Sequence, residues 1–133
     1  MSDSVEFQMP SGYLDVKEPE AVPAGPYDLQ VIKAEIKPTK KGGMMLATQI
    51  AISEHPNAPN IFDYLVLPTG TEHDEIFIRS IRRAAGACGV SFDKNGSFKA
   101  EDFLGAEFRA KLTLEDSEEY GLQNRIQWPK LAV

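Results

Sequence analysis

Lys33, Lys37, Lys40 and Lys41 fall within nine residues, and Glu35 alone offsets them. Clustered ammonium groups are a device for capturing phosphate, each contact displacing a condensed counterion. Phe62 and Tyr64 stand two residues apart, on one face of any strand that carries them. Exposed aromatic rings stack on bases, and cations along a backbone with aromatics for the bases are what single-strand binding requires. Arg109, Lys111 and Arg125 alternate with apolar residues in two later stretches, and Tyr120 lies between those stretches. These residues form the candidate nucleic-acid-binding set.

Each has a plainer reading beside it. Lys40 and Lys41 also suit a solubilised hairpin tip. Phe62 and Tyr64 also suit a core, with Asp63 and Leu65 outside, because this segment is apolar on both faces apart from Asp63. Trp128 shares its phase with Leu122 and Ile126, which favours core or barrel closure over stacking. The acids Glu115, Asp116, Glu118 and Glu119 oppose DNA contact where they cluster.

Signatures of catalysis are weak. His55 and His73 are the two histidines, distant in sequence and outside any metal-ligand spacing, and Cys88 is the single cysteine. Lys41-Gly42-Gly43 lacks the spacing of a phosphate-cradling loop. The acidic run 115–119 reads as a solvated turn before it reads as a cation site. The expectation is a protein that is not an enzyme and uses no cofactor and no metal.

The elements that position these residues follow from periodicity. Tyr27, Leu29 and Val31 alternate with polar residues; then the phase flips to Ile32, Ala34 and Ile36. One extra residue, a β-bulge near 31–32, reverses the buried face in this way. Pro38 and Gly42-Gly43 mark a tight reversal into a second strand at 44–53, and a third runs from 61 to 67. Thr71, with Asp74 at the third helical position, reads as a capping box, and Glu72, Asp74 and Glu75 fill the first turn. Phe77, Ile81, Ala84 or Ala85, and Cys88 follow at helical spacing, and Gly86 and Gly89 stop the helix. A short helical turn fits 100–104. A fourth strand carries Phe108, Ala110, Leu112 and Leu114 inward, an acidic turn spans 115–121, and a fifth strand carries Leu122, Asn124, Ile126 and Trp128.

The order β-β-β-α-β-β, with one helix between strands 3 and 4, predicts a mostly β domain. Its expected form is a five-stranded antiparallel Greek-key barrel, closed or partly open, the OB-fold. The OB-fold domain takes residues 27–133. Residues 1–26, with four prolines, form an extended acidic N-terminal arm that Phe7, Met9, Tyr13 and Leu14 can pin to the body or to a neighbour. Five acids against Lys17 give that arm a net charge of −4 within a total of −6, so the remaining 107 residues carry only −2. An acidic whole can therefore still present one basic face. A single cysteine, no basic–apolar leader and no long apolar run predict a reducing, cytoplasmic location and no membrane.

Several stretches resemble a phage-encoded family of small OB-fold single-stranded DNA-binding proteins, long described as of unknown function. They are Pro23-Ala24-Gly25-Pro26-Tyr27, Lys40-Lys41-Gly42-Gly43-Met44 and Ile61-Phe62-Asp63-Tyr64-Leu65, with the segments at 85–90, 104–108 and 120–126. Together they cover roughly residues 23–128 in the family's order. The resemblance implies a sequence-independent single-stranded DNA binder acting in bacteriophage DNA replication or recombination, in the host cytoplasm. It places Lys40, Lys41, Phe62, Tyr64 and Arg125 in or near the binding face. It allows replication or recombination proteins as partners and a homo-oligomer. Many single-strand binders end in an acidic tail; this chain ends Trp128-Pro129-Lys130-Leu131-Ala132-Val133, which leaves the N-terminal arm as the segment able to recruit partners. The rival readings are an OB-like protein-interaction adaptor or virion component without DNA binding, and an accessory subunit of a replication or nuclease complex.

Overall fold

A computed structural model describes residues 4–70, 74–119 and 121–130. Thr71, Glu72, His73 and Tyr120, which the sequence reading used, lie outside the described residues. Five strands form one antiparallel sheet: β1 (Gly25–Pro38), β2 (Met44–Ile52), β3 (Ile61–Val66), β4 (Glu107–Ser117) and β5 (Gly121–Gln127). The spatial order is β3-β2-β1-β4-β5, with helix α1 (Glu75–Cys88) between β3 and β4 in the chain.

β1 organises the sheet because it serves two neighbours. Gly25 to Gln30 pair with β4, while Leu29 to Pro38 pair with β2. The register on β2 shifts between Val31 and Lys33, which leaves Ile32 as the extra residue of the expected bulge. At that point β1 has left β4, and Val31 exchanges backbone bonds with the loop instead (Val31 N–H to Ala106 O, 2.9 Å; Gly105 N–H to Val31 O, 2.8 Å). The phase flip is thus the mark of one strand passing from one neighbour to another. Leu29 and Val31 point inward before it, and Lys33 points outward after it.

The core lies on one face of the sheet. Leu29, Val31, Leu46, Ile50, Leu112 and Phe103 are its fully buried side chains. Phe103, on a short 3-10 turn (Ala100–Phe103) where a helical turn was expected, packs edge-on against Phe98. α1 adds Ile81, Ala84 and Ala85. Its stop is Gly89, at φ 71°, whose N–H reaches Ala85 O; Gly86 lies within the helix and stops nothing. Asp74 directly precedes the helix instead of lying inside its first turn, and its carboxylate accepts from the Thr69 (3.0 Å) and Gly70 (2.5 Å) N–H groups.

Three expectations need correction. The sheet is open and is not a closed barrel: β3 and β5 approach each other, but no ladder joins them. Side chains and the arm span the seam instead. Trp128 Nε1 donates to Asp63 Oδ2 at 3.0 Å, and the Asn124 amide holds Val22 by both its backbone groups (Val22 N–H to Oδ1, 2.9 Å; Nδ2 to Val22 O, 2.8 Å). The acidic turn is also shorter than expected, because β4 runs on through Glu115, Asp116 and Ser117, paired with Gln123, Leu122 and Gly121. The arm, finally, is anchored by a residue outside the expected set: Val22 is buried, whereas Phe7, Met9, Tyr13 and Leu14 are all exposed. Trp128, by contrast, packs against the core as its phase suggested, and its ring stacks on Phe108 (5.1 Å).

Candidate nucleic-acid interface

Pairing across β1, β2 and β3 sets out the opposite face of the sheet row by row. Lys33, Gln49 and Phe62 make one row; Glu35, Ala47 and Tyr64 the next; Lys37, Met45 and Val66 the third. Directly paired residues point to the same side, and strands lie about 4.8 Å apart, so the lysines stand about 10 Å from the aromatics. The two readings of Phe62 and Tyr64 are thereby decided: each is 53% exposed, and Ile61 and Leu65 turn inward. Asp63 also turns inward. Burial pushes its carboxyl above the usual carboxylate range, against the opposing pulls of the Trp128 hydrogen bond and the Arg125 charge.

The β1–β2 hairpin continues this face. Thr39 closes the turn on both sides (Thr39 N–H to Gly43 O, 2.8 Å; Gly42 N–H to Thr39 O, 3.2 Å), and Gly42 sits at φ 91°, a conformation that favours glycine. Lys40 and Lys41 occupy the tip, exposed, and neither forms an ion pair among the described residues. Lys37 is engaged with Glu35 (2.9 Å), which holds the Glu35 carboxyl below its usual range.

The remaining candidates are dispersed. Arg109, on the part of β4 that pairs with β1, lies between Asp28 (2.9 Å) and Glu54 (3.5 Å), so its charge is already matched. Lys111 lines a separate recess of about 310 Å³ with Lys130 and Trp128. Arg125 bonds Glu115 through Nε (3.1 Å), yet it also lines a groove beside the aromatics. That groove, about 600 Å³, runs along the seam between β3 and β5 and brings Phe62, Tyr64 and Arg125 together.

The sequence reading missed Asn60, Gln123 and Leu122, and the arm residues Pro19 and Ala21, all of which line this groove. The seam belongs to no local pattern; only the strand order could have brought those segments to one place. Among the described residues there is no cluster of three His, Cys, Asp or Glu able to hold a metal ion, and no helix long and apolar enough to cross a membrane. The face combines exposed rings, ammonium groups at a hairpin tip with no ion pair among the described residues, and a groove lined by both apolar and polar residues.

A comparison with curated proteins finds no match. Residues 12–130 match the family described as "Protein of unknown function (DUF669)", nearly the whole chain, and the protein belongs to that family.

Proposed function

We propose that this protein is a sequence-tolerant single-stranded DNA-binding protein without catalytic activity, built on an open OB-type sheet. The neighbour order β4-β1-β2-β3 is that of a Greek key, and the helix between β3 and β4 suits the OB plan. One observation carries the functional reading: Phe62 and Tyr64 are exposed on the same face as Lys33 and Lys37, and that face leads to the unpaired Lys40 and Lys41. The rings stack on bases while the hairpin captures phosphate. The net charge of −6 weakens long-range attraction, so short-range contacts on this face carry the affinity. The resemblance in sequence supports a place in phage DNA replication or recombination, in the host cytoplasm.

Titration of fluorescent oligo-dT at low salt and again at about 0.3 M, with duplex DNA as competitor, tests the reading. Binding should survive the duplex and weaken with salt. Replacing Lys40 and Lys41 by Ala should weaken it further and flatten the salt slope by about 1.4, at about 0.7 per phosphate contact. An unchanged slope removes the hairpin from the mechanism.

One observation favours a protein-interaction module instead: Val5, Phe7, Leu14 and Val16 on the arm are each at least 80% exposed. Failure to bind oligo-dT at low salt would leave that reading in possession.

A further inference from the structure

The groove at the β3–β5 seam holds groups that a strand merely crossing the face of Phe62 and Tyr64 would not need. Phe62, Tyr64 and Leu122 give it flat apolar walls, and Arg125 stands at its side. Asn60 and Gln123 also line it, each half-buried, and neither side-chain amide makes a hydrogen bond among the described residues. The contrast with Asn124 is informative, since that amide is fully committed to Val22 and Thr113. A primary amide presents a donor and an acceptor side by side, the complement of a nucleobase edge. Two such amides left unspent beside aromatic walls describe a receptor for a flat heterocycle with a polar rim. The guanidinium of Arg125 gives only Nε to Glu115, and its terminal N–H groups remain for an adjoining phosphate.

We infer that this groove accepts one unstacked nucleobase of a bound strand, with its ring against Phe62 and its edge at Asn60 and Gln123. The inference rests on the single-strand reading above and adds to it a base preference superimposed on sequence-tolerant binding. Stacking alone also gives modest preferences, but those do not depend on amides.

The test compares dA, dC and dT homo-oligomers on the full chain and on the Asn60→Ala/Gln123→Ala double variant. The parent should spread by about tenfold between best and worst base, and the double variant should bring the spread below about threefold with its salt slope unchanged. Gln123→Glu keeps the shape but has no N–H donor, so it should change the order of preference by itself; it provides a second readout should the double variant fold poorly. A spread that persists in both variants, or no spread in the parent, overturns the base pocket while leaving salt-dependent binding intact. No binding to any homo-oligomer at low salt overturns the single-strand reading and the pocket together.

Discussion

The two hairpins of the sheet, β1–β2 and β4–β5, are both antiparallel pairs and are opposite in electrostatics. In β1–β2 the tip carries Lys40 and Lys41 without ion-pair partners among the described residues, and the neighbouring rows expose Phe62 and Tyr64. In β4–β5 the tip carries Glu118 and Glu119, and the two arginines behind it are matched, Arg125 by Glu115 and, further along β4, Arg109 by Asp28 and Glu54, while Lys111 stands apart in its own recess. A cation already held by a carboxylate has less to gain from a phosphate, because the new contact must displace the old one. Counting basic residues therefore overstates the second hairpin. Unpaired charge beside exposed rings distinguishes the two.

The largest effect should come from the rings. Phe62→Ala with Tyr64→Ala removes stacking that contributes about 1–3 kcal/mol per base, so oligo-dT affinity should fall by about a hundredfold or more. Both residues are half-exposed, so the melting temperature should move little. Arg109→Ala, on the matched side, should change affinity by less than about threefold. Equal losses from the two variants in the same titration would erase the distinction between the hairpins.

Local rules read the elements of this chain well and its seam poorly. The bulge at Ile32, the Thr39–Gly43 reversal and the helical stripe are written in neighbouring residues, so periodicity and turn chemistry find them. Phe62 could not be placed that way, since β3 is apolar on both faces; pairing with Gln49 on β2 puts it outside. Asp63 misleads for the same reason. A charged residue reads as the solvent face, yet it turns inward because Trp128, 65 residues away, supplies a donor. The groove is the extreme case. Its walls come from the arm, the loop before β3 and β5, and nothing local to any of them signals the others. Long-range pairing, rather than composition, builds the site.

The seam tests whether the two halves depend on each other. Asn124→Ala strips both backbone bonds from Val22, a buried residue, and leaves its N–H and C=O to find water. The expected cost is about 1–3 kcal/mol in a urea titration, with faster proteolysis within residues 4–21 as a second readout. The groove loses the wall made by Pro19 and Ala21, so base preference should weaken while the Lys40 and Lys41 salt slope stays. Unchanged stability and unchanged arm cleavage would mean that the arm is held by the burial of Val22 alone.

The smallest effect concerns the charge at the same joint. Burial raises the Asp63 carboxyl above its ordinary value of 3.8, so the folded protein holds that proton more tightly than the unfolded chain does. Stability from this group is therefore greatest in acid and declines as pH rises from 3.8 through the folded-state value, after which it is flat. Asp63→Asn removes the ionisation but keeps an oxygen for the Trp128 N–H. The variant should be the more stable protein at neutral pH, by less than about 1 kcal/mol, and the gap should close below the ordinary carboxylate range. Urea titrations at neutral pH and in acid measure it. A variant less stable than the parent at neutral pH would mean that the charge-assisted bond from Trp128, with the nearby Arg125, outweighs the desolvation of the carboxylate. The seam would then be tied by its charge, and Arg125 would be spent on β3 as well as on Glu115, leaving β4–β5 with less to offer a phosphate than its sequence suggests.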